Sequence, residues 1–329
     1  MKFLIIGYGS VGKRHVKNLI ELGIECLVVD PDSYRREEAS AESLKSYESL
    51  DHLDLPDNFD AVVICSPPVF HVSQTTWALN KAKKVFLEKP LGLNYIDCQK
   101  LLSYKYDQIF VGYTYRWNPQ FIELKNCIEK KLIGTPYYAN FSIGMHLEDW
   151  HPWENYRDFF MSSSVLGGGA ILDESHFLEL ILELFGLPSE IFCTQSKISS
   201  LDIEADDYVF SHFIYNNLRI DVKLDLFKRP HESFIQIYGE FGSIECDFIQ
   251  KNNILIKSKS YANFTSNTNS FQYDRNDVFK QMISDFIKFV SNETSEALVP
   301  FSRGLEVMYL IDMMRKASQN RKWLPIDRK

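Results

Sequence analysis

Apolar positions in the first hundred or so residues fall in short unbroken runs separated by stretches of helical spacing. Lys2–Ile6, Glu25–Val29, Asp60–Cys65, Val85–Leu87 and Ile109–Gly112 have strand length and few polar members. Between them, Ser10–Gly23, Pro68–Lys81 and Asn94–Tyr104 read as helices; in the first, Val11, Val16, Leu19, Ile20 and Leu22 are apolar and Gly23 is the stop. Strands apolar on both faces, alternating with helices, predict a parallel sheet covered on both sides.

The pattern changes near Arg116-Trp117-Asn118-Pro119, which places a domain boundary at 118/119. After a helix at Pro119–Lys131, strands are expected at 136–144, 189–199, 207–215, 219–227, 233–238 and 243–248. Arg219–Phe227 alternates most cleanly: Ile220, Val222, Leu224 and Leu226 on one face, Arg219, Asp221, Lys223 and Asp225 on the other. Such strands predict a large open, mostly antiparallel sheet with one face less buried. One helix, Gly169–Phe185, interrupts it, and Lys257–Gln272, rich in Ser, Thr and Asn, reads as a mobile loop. Helices at about Asp274–Ser291 and Ser302–Ser318 close the chain, the last free to pack back on the first domain. The fold class is α/β: a doubly wound Rossmann domain over 1–118, then an α+β domain over 119–329.

The chain's 329 residues also suit two domains. Its net charge of −8 argues against a nucleic-acid partner. Six dispersed cysteines without a C-x-x-C pair give no disulfide framework and no metal site. The first apolar run meets Gly7 too soon for a signal-peptide core, and no run reaches membrane-spanning length. N-x-[ST] triplets at Asn140, Asn263 and Asn292 are then coincidental, and the expected location is the cytoplasm.

Gly7-Tyr8-Gly9-Ser10-Val11-Gly12 is G-x-G-x-x-G, set between a strand and a helix. The first glycine permits the turn, the second lets backbone approach a pyrophosphate, and the third packs helix on strand. The helix N-terminus then offers N–H groups to the anion. Asp30 closes the next strand 21 residues after Gly9, suited to the ribose hydroxyls of NAD. Arg35 and Arg36 follow closely and leave NADP open. Gly7–Lys13 also fits a G-x-x-x-x-G-K phosphate loop, but Arg14 replaces the hydroxyl residue that would bind magnesium.

Ligands in such sheets lie beyond the carboxyl ends of the strands, where Cys65-Ser66-Pro67-Pro68 and Glu88-Lys89-Pro90 fall. Lys89, held extended by the following proline, could polarise a substrate hydroxyl or carbonyl; the alternative is a surface lysine. Gly167-Gly168-Gly169 leads into a helix bearing Asp173 and His176, three apart and hence on one face. A carboxylate beside an imidazole orients a general base; the alternative is a structural histidine near a helix-start acid.

These motifs, with Lys13-Arg14-His15, Ser66-Pro67-Pro68 followed by His71, Gly112-Tyr113-Thr114-Tyr115-Arg116, Ile133-Gly134-Thr135-Pro136, Gly239-Glu240-Phe241-Gly242-Ser243 and Ser302-Arg303-Gly304-Leu305-Glu306, resemble the Gfo/Idh/MocA oxidoreductase family nearly end to end. The resemblance implies a two-domain NAD- or NADP-dependent dehydrogenase with a sugar or polyol at the domain interface. Lys89 matches its catalytic lysine, Asp173 its acid and His176 its proton-transferring histidine, although the acid–histidine step here is three residues and not the usual four. Ser66, Pro67, His71, Glu88, Lys89 and Arg116 are expected beside the cofactor, and Lys89, Asp173 and His176 beside the substrate.

The shorter step, together with His151-Pro152-Trp153-Glu154-Asn155-Tyr156-Arg157, resembles a subgroup linked to surface-polysaccharide and nucleotide-sugar pathways. Trp153, Tyr156 and Arg157 are expected to meet a sugar face and a phosphate or carboxylate, or else to form a packed loop. Two rivals remain: a non-catalytic NAD-binding regulator, and a glycosidase using transient oxidation. The less buried sheet face predicts a homodimer or homotetramer.

Overall fold

The computed structural model describes residues 1–53, 59–150, 152, 154–249, 253–260 and 263–327. It divides into two compact units, each built from two chain segments: Met1–Thr114 with Asp274–Met308, and Tyr115–Tyr273 with Tyr309–Lys329. The single boundary expected at 118/119 gives way to a discontinuous division.

The first unit holds a parallel sheet of β1 (Lys2–Ile6), β2 (Glu25–Val29), β3 (Lys45–Tyr47), β4 (Phe59–Ile64), β5 (Ala82–Glu88) and β6 (Ile109–Gly112), in the order β3-β2-β1-β4-β5-β6. Its helices include α1 (Ser10–Glu21), α2 (Ser33–Ala41), α3 (His71–Leu79) and α4 (Tyr95–Gln99). β3 escaped the hydropathy pattern because Lys45-Ser46-Tyr47 is a polar edge strand with no apolar run. The helix expected to reach Tyr104 ends its α-helical part at Gln99 and continues as a 3-10 turn to Ser103. The doubly wound order reverses between β1 and β4, the switch point where such sheets open a crevice. There Gly7 has φ +95°, and a Cβ on it would lie 2.8 Å from both Cys65 C and Ser66 N. Only glycine lets these two loops meet backbone to backbone.

The second unit holds β7 (Pro136–Gly144), β8 (Glu190–Ser196), β9 (Tyr208–Ile214), β10 (Arg219–Asp225), β11 (Glu232–Gly239), β12 (Gly242–Asp247), β13 (Asn253–Ser260), β14 (Asn263–Ser270) and β15 (Leu324–Pro325). Their order is β14-β13-β12-β11-β7-β10-β9-β8-β15, antiparallel throughout except β7 with β10. Helices α5 (Pro119–Glu129), α6 (Leu147–Trp150), α7 (Ala170–Asp173) and α8 (His176–Phe185) belong to it. Ile220, Val222, Leu224 and Leu226 are buried as the alternation requires. Asp225 departs from it: the carboxylate is fully buried, opposite Gly144, whose missing Cβ leaves the room. Lys223 Nζ reaches it at 3.3 Å, while burial pushes the Asp225 carboxyl up.

Lys257–Gln272 corrects the sequence reading: most of it forms the β13–β14 hairpin. Ile254 and Ile256 are buried, but Thr265–Ser270 is exposed and carries only polar side chains; it pairs with β13 along the backbone, with Thr265 Oγ1 adding contacts to Ser258 and Asn269 Nδ2 donating to Glu123 at 3.2 Å. An exposed edge strand with no buried face leaves no hydropathy alternation to read.

Two long helices, α9 (Arg275–Val290) and α10 (Phe301–Asn320), follow. A capping box between Asp274 and Asp277 starts α9. From α9, fully buried Phe286 packs on Phe3 of β1 (ring centroids 5.7 Å), Phe86 of β5 (5.3 Å) and Phe110 of β6 (5.5 Å), so the helix completes the first unit's core. Among the described residues, no helix is long and apolar enough to cross a membrane. Phe286→Ala is expected to cost about 3–5 kcal/mol, the usual range for removing a buried aromatic ring. The loss would be read as a lower denaturant midpoint of the first unit; an unchanged midpoint would remove α9 from that core.

Candidate active site

Gly9 is the N-cap of α1 and supplies no side-chain cap, so the first N–H groups of this twelve-residue helix are left to an anion. The turn before it is pinned by Asp30, which is 1% exposed. Asp30 Oδ2 accepts from Tyr8 N at 2.6 Å and Oδ1 from Asp32 N at 2.9 Å. The expected ribose acceptor is therefore also the clasp that shapes the glycine turn. Tyr8 is buried and its hydroxyl donates to Glu42 at 2.8 Å; burial and that carboxylate hold the phenol well above its ordinary pKa. Arg35 Nη1 lies 3.6 Å from Asp30 Oδ2 and faces the open side of Gly9. Arg36 is tied to the Asp30 carbonyl at 2.8 Å. An uncapped helix start, a glycine-lined backbone and a fixed acid fit a dinucleotide with its pyrophosphate on Gly7–Gly12 and its ribose near Asp30.

At the end of β4, Ser66 Oγ donates to Gln74 at 2.5 Å, and burial pushes the Cys65 thiol well up. Pro67 leads into a 3-10 turn that α3 continues. His71, expected beside the cofactor, is 1% exposed, and its ring nitrogens face the carbonyls of Pro90 (2.6 Å) and Ser66 (2.8 Å). Glu88 closes β5, its Oε1 2.6 Å from Nε2 of the fully buried His15. Lys89 follows at once, at the carboxyl end of the strand.

In the second unit the triple glycine serves a tight approach. Gly167 and Gly169 have φ +94° and +106°, and a Cβ on Gly169 would collide with the Asp206 carboxylate. That carboxylate accepts from Ile171 N at 3.0 Å, and the Asp206 carbonyl from Ala170 N at 2.9 Å. Asp206 thus caps α7 from another part of the chain; burial pushes its carboxyl up despite these bonds. The single helix expected over Gly169–Phe185 is broken. Asp173 ends α7, Glu174 and Ser175 turn, and His176 opens α8. Ser175 Oγ donates back to Leu172 O at 2.7 Å, using a carbonyl that a continuous helix would bond.

His176 packs against Tyr115 at 5.2 Å between ring centroids, and the Tyr115 hydroxyl shares a 2.9 Å hydrogen bond with Ser233. Neither Tyr115 nor Asp206 is marked by a local sequence pattern, because each acts across a long gap in the chain. Arg116, expected near the cofactor, is 9% exposed and binds Glu179 (2.8 Å) and Glu183 (2.7 Å) of α8. Trp153 lies outside the described residues. Tyr156 is 6% exposed and its hydroxyl accepts from Asp202 N at 3.1 Å, so it packs the loop from within. Arg157 is exposed, stacked 4.6 Å over the Tyr156 ring and paired with Asp202 at 2.9 Å. His212 is satisfied by Asp221 at 2.5 Å, as a sheet residue should be. No cluster of metal-ligating side chains occurs among the described residues.

Comparison with known proteins agrees with these features. The NAD-binding Rossmann-fold model of the Gfo/Idh/MocA oxidoreductases matches residues 1–108, and their C-terminal alpha/beta domain model matches residues 125–326. The myo-inositol 2-dehydrogenase of Thermotoga maritima is 35% identical over 145 residues, 42% of this chain and 43% of that protein, so the match spans less than half of that relative. An uncharacterized oxidoreductase of Streptococcus pneumoniae is 26% identical over 262 residues, 75% of this chain and 68% of that protein. Levoglucosan dehydrogenase in complex with NADH superposes with a TM-score of 0.87 at 16% identity, over all of both chains. The WlbA dehydrogenase of Bordetella pertussis, in complex with NADH and UDP-GlcNAcA, gives 0.82 at 17% identity, over 100% of this chain and 99% of that one. At such identities the two structures speak for the fold, and the family rests on the two domain models: this chain is a member of the Gfo/Idh/MocA oxidoreductase family.

Proposed function

We propose that this protein is an NAD-dependent dehydrogenase or reductase acting on a carbinol or keto carbon of a sugar, with a nucleotide-activated sugar as the favoured class. The observation that supports the reading is the family match over both domains, with Glu88-Lys89-Pro90 at the end of β5 and Asp173 and His176 at the junction of α7 and α8 resembling the family's catalytic positions, the last pair at a step of three residues in place of four. When bound, the nicotinamide supplies the redox step, taking or returning a hydride and its electron pair at C4. In the oxidative direction His176 takes the hydroxyl proton as the carbinol C–H bond breaks and the C=O bond forms. The Lys89 ammonium stabilises the charge that develops on that oxygen. Asp173, which a turn and not a shared helical face separates from His176, is assigned the role of positioning acid by the family resemblance alone. Arg157, exposed on its loop, is a candidate for the phosphate or carboxylate of an activated sugar. The buried anion at Asp30 opposes a 2′-phosphate and favours NAD over NADP.

Lys89→Ala and His176→Ala are each expected to lower kcat by about 10²–10⁴-fold, the range for removing a charge-stabilising or proton-transferring group. NAD affinity, measured by nucleotide fluorescence, should change little. Wild-type turnover in Lys89→Ala would overturn the mechanism. NADH should accumulate in step with oxidised sugar; cleavage of a glycosidic bond with NAD unchanged would instead select the transient-oxidation chemistry.

The nine-stranded sheet also offers a face for self-association. Trp323, 44% exposed, packs beside Phe192 and His212, while Tyr138 lies beside Tyr238, which is 42% exposed. Aromatic rings on an open sheet face suit a second copy of the chain. Light scattering is expected to give a dimer or tetramer mass; a monomer at micromolar concentration would exclude this pairing.

A further inference from the structure

Lys89 stands between Glu88 and Pro90, and each of these neighbours is held by a buried histidine from a different helix. His15 of α1 is fully buried; its Nε2 lies 2.6 Å from Glu88 Oε1, and its ring packs against Phe86 (5.0 Å) and Phe279 (5.8 Å). Its Nδ1 has no hydrogen-bond partner among the described residues. Burying an imidazole among phenyl rings is costly unless its one polar contact is needed, and that contact is to Glu88. The other Glu88 oxygen lies where a Cβ on Gly112 would come within 3.1 Å, so the carboxylate is seated between α1 and the end of β6. On the other side, His71 of α3 is seated with Nδ1 2.6 Å from the Pro90 carbonyl and Nε2 2.8 Å from the Ser66 carbonyl; burial favours the neutral ring, which donates to one of the two and packs against the other.

We infer that His15 and His71 are positioning residues for Lys89, fixing its backbone to the two loops that flank the switch point. His15 ties Glu88 to the helix that begins in the glycine turn. His71 ties Pro90 to the loop that abuts Gly7. Lys89 therefore keeps a set place relative to the pyrophosphate-binding turn even without ligand. A reacting group displaced by an ångström can lose on the order of a hundredfold in rate, which gives such bracing a use. The inference rests on Lys89 acting at the reacting oxygen, but the bracing is measurable without turnover.

The test uses the full chain free of cofactor, with amide hydrogen exchange read at Glu88, Lys89 and Leu91. His71→Phe keeps a ring but no donor, and these amides should exchange at least tenfold faster than in the wild type. His71→Gln, whose amide NH2 can still donate to a carbonyl, should recover part of the protection. With NAD and substrate, His71→Phe should lower kcat about tenfold or more, with KM for NAD within threefold, and His71→Gln should fall between. If His71→Phe does not fold, His71→Asn, too short to span both carbonyls, must show the same loosening. Wild-type protection in the folded variant overturns the inference. Full activity in Lys89→Ala would defeat the catalytic assignment alone, leaving the exchange result to decide the bracing.

Discussion

Bare backbone meets bare backbone where β1 and β4 part, and the dinucleotide-binding architecture depends on that approach. Any side chain at Gly7 would strike Cys65 and Ser66. The contact brings the glycine turn, which ends in the uncapped start of α1, against the loop that ends in α3. The neighbouring Asp30 carboxylate spends one oxygen on Tyr8 N and thereby holds the turn in shape. The acid proposed to meet the ribose thus already has a folding task of its own. Removing it would alter the turn as well as the preference between cofactors.

The same physical device recurs away from the sheet. A buried polar group must find a partner, and partners drawn from distant sequence lock loops that hydrophobic packing alone would leave loose. Asp206 caps the four-residue α7 across the approach left by Gly169. Glu88 rests on His15, 73 residues earlier. Each case joins a polar side chain with a glycine that makes the room. Glycines and buried acids are therefore read better as pairs than as separate motifs.

What was legible in the sequence follows from this division of labour. Unbroken apolar runs reported β1, β2 and β4–β6, because both faces of a parallel sheet are buried and leave a hydropathy trace. Alternation reported β10 for the opposite reason. Polar edges left no such trace: β3 was passed over, and most of the β13–β14 hairpin read as loop, since an edge strand needs only backbone partners. Lys89, Asp173 and His176 were named because a family signature is local in sequence. The break at Glu174–Ser175 was hidden: the hydropathy of Ile171, Leu172, Phe177 and Leu178 continues smoothly through a turn made by backbone and one serine hydroxyl. The return of α9 to the first unit was equally hidden, because its amphipathic pattern says that a face is buried but not against which sheet.

Arg116, expected beside the cofactor, has carboxylate partners on α8 that the local sequence does not announce. Its neighbour Tyr115 packs on His176 at the first turn of α8, while Arg116 itself reaches Glu179 and Glu183 one and two turns further along. Two consecutive residues therefore grip the same helix at successive levels. Glu179 is fully buried, so the carboxylate is dehydrated, and its pairing with a guanidinium adds little net stability over an apolar pair. What the ion pair does supply is register. One guanidinium nitrogen, Nη1, meets a carboxylate oxygen of each glutamate, so two points one turn apart on α8 are tied to one atom of Arg116. Because α8 begins at His176, fixing the register of the helix also fixes where the imidazole begins. Arg116 and Tyr115 thus meet α8 side by side, one through a buried ion pair and the other through an aromatic contact at its first residue.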